Sequence, residues 1–267
     1  MNKVLLNGFA LFAVIALAAC DSEPDDFNTA DHVADNHVDI AYAAYNDSNA
    51  AALVLQQSIN TFIAAPTEGN LLLAKAAYKA IRAPYQQSEI MRFDSIITVG
   101  ENLDADGGPA SVDEWEGQVN AWPLDENHID TIIAGSDVIN VELLLSQNGA
   151  DDNDANVTTG IHAVEYMLWG SDFNDTEAGA GERPASDFAN DGTCADSDCE
   201  RRAQYLSAAI DLLVTDLTEM VDEWSPTAKV TSGTLAYNFL NSPLAIDYMV
   251  GSMITMATDE LASARMG

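Results

Sequence analysis

The sequence predicts an all-α fold of up-and-down packed helices, and two observations carry that prediction. Apolar residues recur at alternating steps of four and three over long stretches, the spacing that lines one side of an α-helix. No stretch of useful length alternates apolar and polar residues as a half-buried strand does. Size agrees with this: 267 residues, 48% of them hydrophobic, suffice for one large or two small cores and are too apolar for a disordered chain.

The first 19 residues read as a lipoprotein signal peptide. Lys3 supplies a positive start, and Phe9 to Ala19 is an apolar run far shorter than the roughly 20 residues a spanning helix needs. Leu17-Ala18-Ala19-Cys20 resembles the bacterial lipobox, so cleavage before Cys20 would leave its thiol to carry lipid and hold the chain to a membrane. Residues 20–30 then form a polar tether, and 31–267 the helical domain. The expected location is the cell envelope, facing the periplasm or the surface.

The first helix is predicted over 31–64, from Ala41, Tyr45, Ser48, Ala52, Leu55, Ile59 and Phe62. Pro66 and Gly69 punctuate it, and a second runs from about 70 to 98 with Pro84 as a kink. After Gly107-Gly108-Pro109 come a short segment at 111–119 and a helix over 125–146. Asp104-Ala105-Asp106-Gly107 begins like a calcium loop, but Trp115 stands where that loop needs its bidentate Glu, so it reads as a turn. A helix over 157–169 comes next, then a long loop over 170–199 rich in Gly, Asp and Ser. Leu206, Ile210, Leu213, Leu217, Met220 and Trp224 mark the next helix, which ends at Pro226, and 230–267 is helical with a break at Pro243.

Charge narrows the partners. Forty-three acidic residues against ten basic ones give −33, or −34 once Lys3 leaves with the signal peptide. That charge repels phosphate backbones and excludes nucleic acid, and it suits either a solvated anionic surface or capture of cations. In an oxidising compartment Cys194 and Cys199 are expected to form a disulfide, since no second Cys or His pair lies nearby to complete a zinc site.

Chemistry concentrates in two segments. Gly160-Ile161-His162-Ala163-Val164-Glu165 puts an imidazole and a carboxylate three residues apart on one helix face, where they could share an ion or simply bond each other. In the second helix Lys75, Lys79, Arg82, Gln86 and Glu89 form a polar stripe around Pro84, which reads equally as a solvated face or as the margin of a site.

With Leu168-Trp169-Gly170, the segment Arg82-Ala83-Pro84-Tyr85-Gln86-Gln87-Ser88-Glu89, Asn120-Ala121-Trp122-Pro123-Leu124-Asp125-Glu126, Arg201-Arg202 through Leu206 and the closing Glu260-Leu261-Ala262, the GxHxxE motif resembles the imelysin family of bacterial envelope proteins. The resemblance runs from about residue 38 to the C-terminus. It implies an all-helical fold of bundle-like halves and a link to iron acquisition, with components of an iron-uptake system as partners; the family is also classed with metallopeptidases on the strength of GxHxxE. Carried over, the metal ligands are His162 and Glu165 joined by Glu89, with Arg82, Gln87, Trp122 and Asp125 as site neighbours. The ion implied is iron, divalent or ferric, with zinc the other candidate.

A zinc peptidase needs about three protein ligands, an open position for water and a free general base. If Glu165 ligates, only Glu89 or Asp125 remains as base, so a metal binder is the better-supported expectation and a metallopeptidase the alternative. Family members usually continue beyond the Glu-Leu-Ala segment, whereas this sequence stops at Gly267. The helix at 244–256 is apolar nearly all round, so an exposed patch along Leu244, Tyr248 and Ile254 is expected, with self-association through it.

Overall fold

The computed structural model describes residues 30–91, 113–172, 181–194 and 196–265. The signal peptide, the tether through residue 29 with Cys20, and the Asp104–Gly107 turn lie outside the described residues.

The body is built on α1 (Ala30–Ala64), which packs along α2 (Glu68–Ser88) on one side and α7 (Cys199–Trp224) on the other. All seven positions of the predicted α1 stripe, Ala41 through Phe62, are buried. Thr67 starts α2 by accepting the Asn70 amide at 3.3 Å, satisfying one of the donors left over at a helix N-terminus. Pro84 lies inside α2 without ending it; instead of one helix to residue 98, α2 stops at Ser88 and tightens into a 3₁₀ turn, Glu89–Met91. Residues 92–98, the remainder of the predicted helix, lie outside the described residues.

The helix expected over 125–146 is two. Between α3 (Asp113–Val119) and the site come α4 (Glu126–Ala134) and α5 (Val141–Gln147). Gly135 leaves the helix in extended backbone, and Asn140 caps α5 by accepting the Leu143 amide at 2.9 Å. Arg201 fixes the break, donating to the carbonyls of Ile132 at 3.0 Å and Asp137 at 2.9 Å, so a cation closes the negative end of α4.

The motif helix α6 (Gly160–Trp169) sits between α2 and α7, starting three residues later than expected because Thr159 enters it in extended backbone. Within the long loop a 3₁₀ turn, Ala185–Phe188, packs on α7. A disulfide joins Cys194 to Cys199. The C-terminal stretch is broken at Gly233 (φ 99°) as well as near Pro243, giving α8 (Leu235–Leu240), α9 (Ala245–Thr255) and a π-helical end, Met256–Arg265. Tyr248 does not join an exposed patch: it turns into the core, Leu244 is half-buried, and the exposed side of α9 is Val250, Met253 and Ile254. Among the described residues there is no strand, and no helix is long and apolar enough to cross a membrane.

Candidate functional site

Helix α6 buries Ile161, Ala163, Val164, Tyr166, Met167 and Leu168, which leaves His162, Glu165 and Trp169 as its one half-exposed stripe. Their spacing of three and four puts them on a single line. His162 Nδ1 and Glu165 Oε2 are 3.2 Å apart, with side-chain exposures of 17% and 46%, so the pair sits at the surface on a buried floor. The indole of Trp122, itself 70% exposed, leans over the imidazole with ring centres 5.0 Å apart.

The start of α6 is held from four directions. Thr159 Oγ1 donates to the Gln118 carbonyl at 2.8 Å, and Thr158 Oγ1 to Leu144 O at 2.6 Å. Thr158 N donates to Asn148 Oδ1 at 3.0 Å, while the Tyr205 hydroxyl donates to Thr158 O at 2.6 Å. Gly160 adopts φ 78° and lies against the C-terminal carbonyls of α3, where a Cβ would overlap the Val119 oxygen. This contact explains the motif's glycine, since it lets α3 end directly above the site and project Trp122 over His162. Sequence reasoning missed Gln118, Thr158, Thr159 and the role of Tyr205.

From α2 come Tyr78 and Arg82. Burial opposes the Glu165 charge, but the hydrogen bond with His162, the nearby Tyr78 hydroxyl and the Arg82 cation outweigh it and hold the carboxyl below its usual range. Burial first, then the Glu165 charge, pushes the Tyr78 phenol well above its ordinary value, so it stays a neutral O–H donor. Tyr78 is 2% exposed, so its hydroxyl and the Arg82 guanidinium support Glu165 from a buried position on α2. Further along, Tyr78 meets Trp169 edge-on at 5.2 Å, and Lys75 and Lys79 hold their ammonium groups 5.3 and 5.8 Å from the Trp169 ring centre. Trp169 also borders a cleft of about 450 Å³ lined by Tyr166, Arg183, Asp187 and Arg202.

The other predicted residues are placed differently. Glu89 is buried at the 3₁₀ turn, whose Ile90 carbonyl accepts the Ser252 hydroxyl of α9. It does not lie within 4.8 Å of both motif ligand atoms, because among the described residues the one group of three potential ligands that tight is Cys194, Asp196 and Cys199. The described contact within the expected ligand set is the His162–Glu165 pair, with Tyr78 and Arg82 acting on Glu165 from α2. Asp125 caps α4, accepting the Asn127 amide at 2.9 Å, and Gln87 is exposed. Both sulfurs of the tight group are spent in the disulfide, so they are not thiolate ligands.

Chemically, a carboxylate oxygen and an imidazole nitrogen 3.2 Å apart fit two positions on one ion, whose bonds to such ligands are about 2.0–2.2 Å. The set suits iron or zinc better than a hard ion such as calcium, and it leaves the remaining positions open.

An all-helical chain carrying GxHxxE on a short helix clamped between longer ones defines the class, and comparison with known proteins agrees. The Imelysin (Peptidase_M75) family model matches residues 41–267, and the chain belongs to that family. It is 27% identical over 95 residues to iron-regulated protein A of Synechococcus elongatus, a match covering 36% of this chain and 23% of that protein. Its fold is similar to the crystal structure of an iron-regulated protein A precursor from Parabacteroides distasonis, with a TM-score of 0.53 at 19% identity over 82% of this chain. The match spans 55% of that longer chain.

Proposed function

We propose that the protein is an envelope lipoprotein, anchored through Cys20, that binds a metal ion at His162 and Glu165 and serves iron acquisition. The observation that supports this most is the imidazole–carboxylate pair itself, 3.2 Å apart and facing outward from a buried floor. The names of the two relatives favour iron among the ions such a pair accepts. When bound, the ion would be held by these two side chains, with Arg82 and Tyr78 stabilising the ligating carboxylate and Trp122 covering the imidazole.

The peptidase reading has less support. Once Glu165 ligates, a base must come from elsewhere, and Asp125 is occupied as a helix cap while Glu89 is buried in a different turn.

Calorimetric titration of the chain with Fe²⁺ under anaerobic conditions, and with Zn²⁺, tests the proposal. One site is expected, and His162→Ala and Glu165→Ala should each weaken it at least tenfold. Affinity unchanged in both variants would refute the assignment.

A further inference from the structure

Away from the metal-binding pair, the Cys194–Cys199 disulfide is set among groups that would support its sulfurs when reduced. Cys199 is the first residue of α7, a helix of 26 residues, so its sulfur lies at the positive end of a long helix dipole. One turn on, Arg202 brings Nη1 to 3.7 Å from that sulfur. A thiolate released here accepts from Arg202, and once protonated it donates to the Ser186 carbonyl, 3.4 Å away. Both protonation states of the freed sulfur therefore meet a group able to bond them.

The loop has a second fastening besides the bond. Arg202, itself buried, donates to the Asp187 carbonyl at 3.1 Å and to the Asp196 carboxylate, and so ties the loop to α7 without any sulfur. Asp187, Asp196 and Asp198 all act on its charge, so the reduced form rests on direct contact with Arg202 and Ser186 rather than on the local field. Stabilising the dithiol makes a disulfide easier to reduce. Access separates the two sulfurs: Cys199 is buried and Cys194 half-buried, so a thiol arriving from solution meets Cys194 first.

We infer that this disulfide is a thiol-exchange site for low-molecular-weight thiols, with Cys194 the attacked sulfur and Cys199 the leaving one. The incoming thiolate bonds to Cys194 Sγ as the protein's S–S bond breaks, and the electron pair leaves on Cys199, which then takes a proton from water. A second thiolate attacks the sulfur of the first, releasing the small disulfide and leaving Cys194 as a thiolate. Two thiols are thereby oxidised, and the protein disulfide takes up two electrons.

Equilibrating the full chain with reduced and oxidised glutathione over a range of ratios, quenching in acid and mapping thiols and mixed disulfides by mass spectrometry provides the test. Wild type should pass from oxidised to reduced within the range that glutathione sets, with the trapped glutathione on Cys194. Arg202→Met should shift the equilibrium about tenfold towards the disulfide. Asp196→Asn cuts one tie of the loop but leaves Arg202 beside Cys199, so it should shift the equilibrium far less. The wild-type measurements carry the test even if Arg202→Met fails to fold. A bond still fully oxidised at about 10 mM reduced glutathione behaves as a structural disulfide and overturns the inference. Glutathione trapped on Cys199, or an equilibrium that Arg202→Met moves no further than Asp196→Asn does, overturns it as well.

Discussion

Gly160 and the Val119 carbonyl are in contact at a distance no side chain would allow, and that contact places Trp122 over the motif histidine. Gly160→Ala should therefore cost stability twice, through its positive φ and through overlap with backbone that cannot swing aside. Together these amount to about 2–5 kcal/mol. Gly149 offers the control, since it also has a positive φ (69°) but open space around it, so its alanine variant should cost only about 1 kcal/mol. Urea unfolding of both variants checks this; equal costs would show that the approach of α3 to α6 is not what requires Gly160.

Trp122 is largely exposed yet packed at a tilt against His162, so its removal separates site from scaffold. Trp122→Phe should change stability by no more than about 0.5 kcal/mol, as for most surface substitutions. It should abolish the part of the fluorescence change on Fe²⁺ or Zn²⁺ binding that arises beside the imidazole. A metal-dependent signal as large in the variant as in wild type would place the ion elsewhere.

Sequence periodicity made α1 and the apolar face of α7 legible, because long helices repeat their spacing enough times to leave one reading. The His162–Glu165 pair was legible for the same reason at shorter range, since three residues of helix fix a shared face. The break between α4 and α5 was not, although Gly135-Ser136-Asp137 signalled it, because apolar residues on both sides continued the rhythm. Tyr78 could have been found: it lies three residues after Lys75 and four before Arg82, on the very stripe that was noticed. Nothing local marks the bonds from Gln118, Asn148 and Tyr205 to the motif's leading threonines, which join segments from ten to 47 residues apart.

The disulfide closes only a short loop, so on the chain-entropy estimate its loss should cost about 2 kcal/mol. Arg202 also holds that loop, through the Asp196 carboxylate and the Asp187 carbonyl at 3.1 Å, and pulls the Asp196 carboxyl below its usual range. Replacing both cysteines by serine should therefore lower the melting temperature modestly and leave metal affinity within twofold. A collapse of metal binding in the double variant would mean that the loop reaches the site.

Asp216 supplies the pH-dependent prediction. It lies on α7 at 3% exposure, with one carboxylate oxygen accepting from Gln118 Nε2 at 2.7 Å and the other buried without a partner. Burial raises its pKa to about 6, with the Gln118 bond opposing and the Glu219 charge adding to the rise. The folded state thus binds this proton more tightly than the unfolded chain, whose value is 3.8. By linkage, the fold gains most from Asp216 protonation below 3.8, loses that gain as pH rises towards 6, and carries the full penalty above it. Two units correspond to roughly 3 kcal/mol, an upper figure. Asp216→Asn should therefore stabilise the protein at pH 8, by about 1–2 kcal/mol because the new amide also needs an acceptor. About half of the advantage should be gone by pH 5, still above the sequence pI near 4.1, where solubility is lowest. His37 works in the opposite sense, since burial lowers its pKa to about 4 and charging it on acidification costs stability, but it is common to both proteins and cancels in the difference. Thermal melts of wild type and variant at pH 5 and pH 8 provide the comparison. A difference independent of pH would show that Asp216 is ionised in the fold throughout this range.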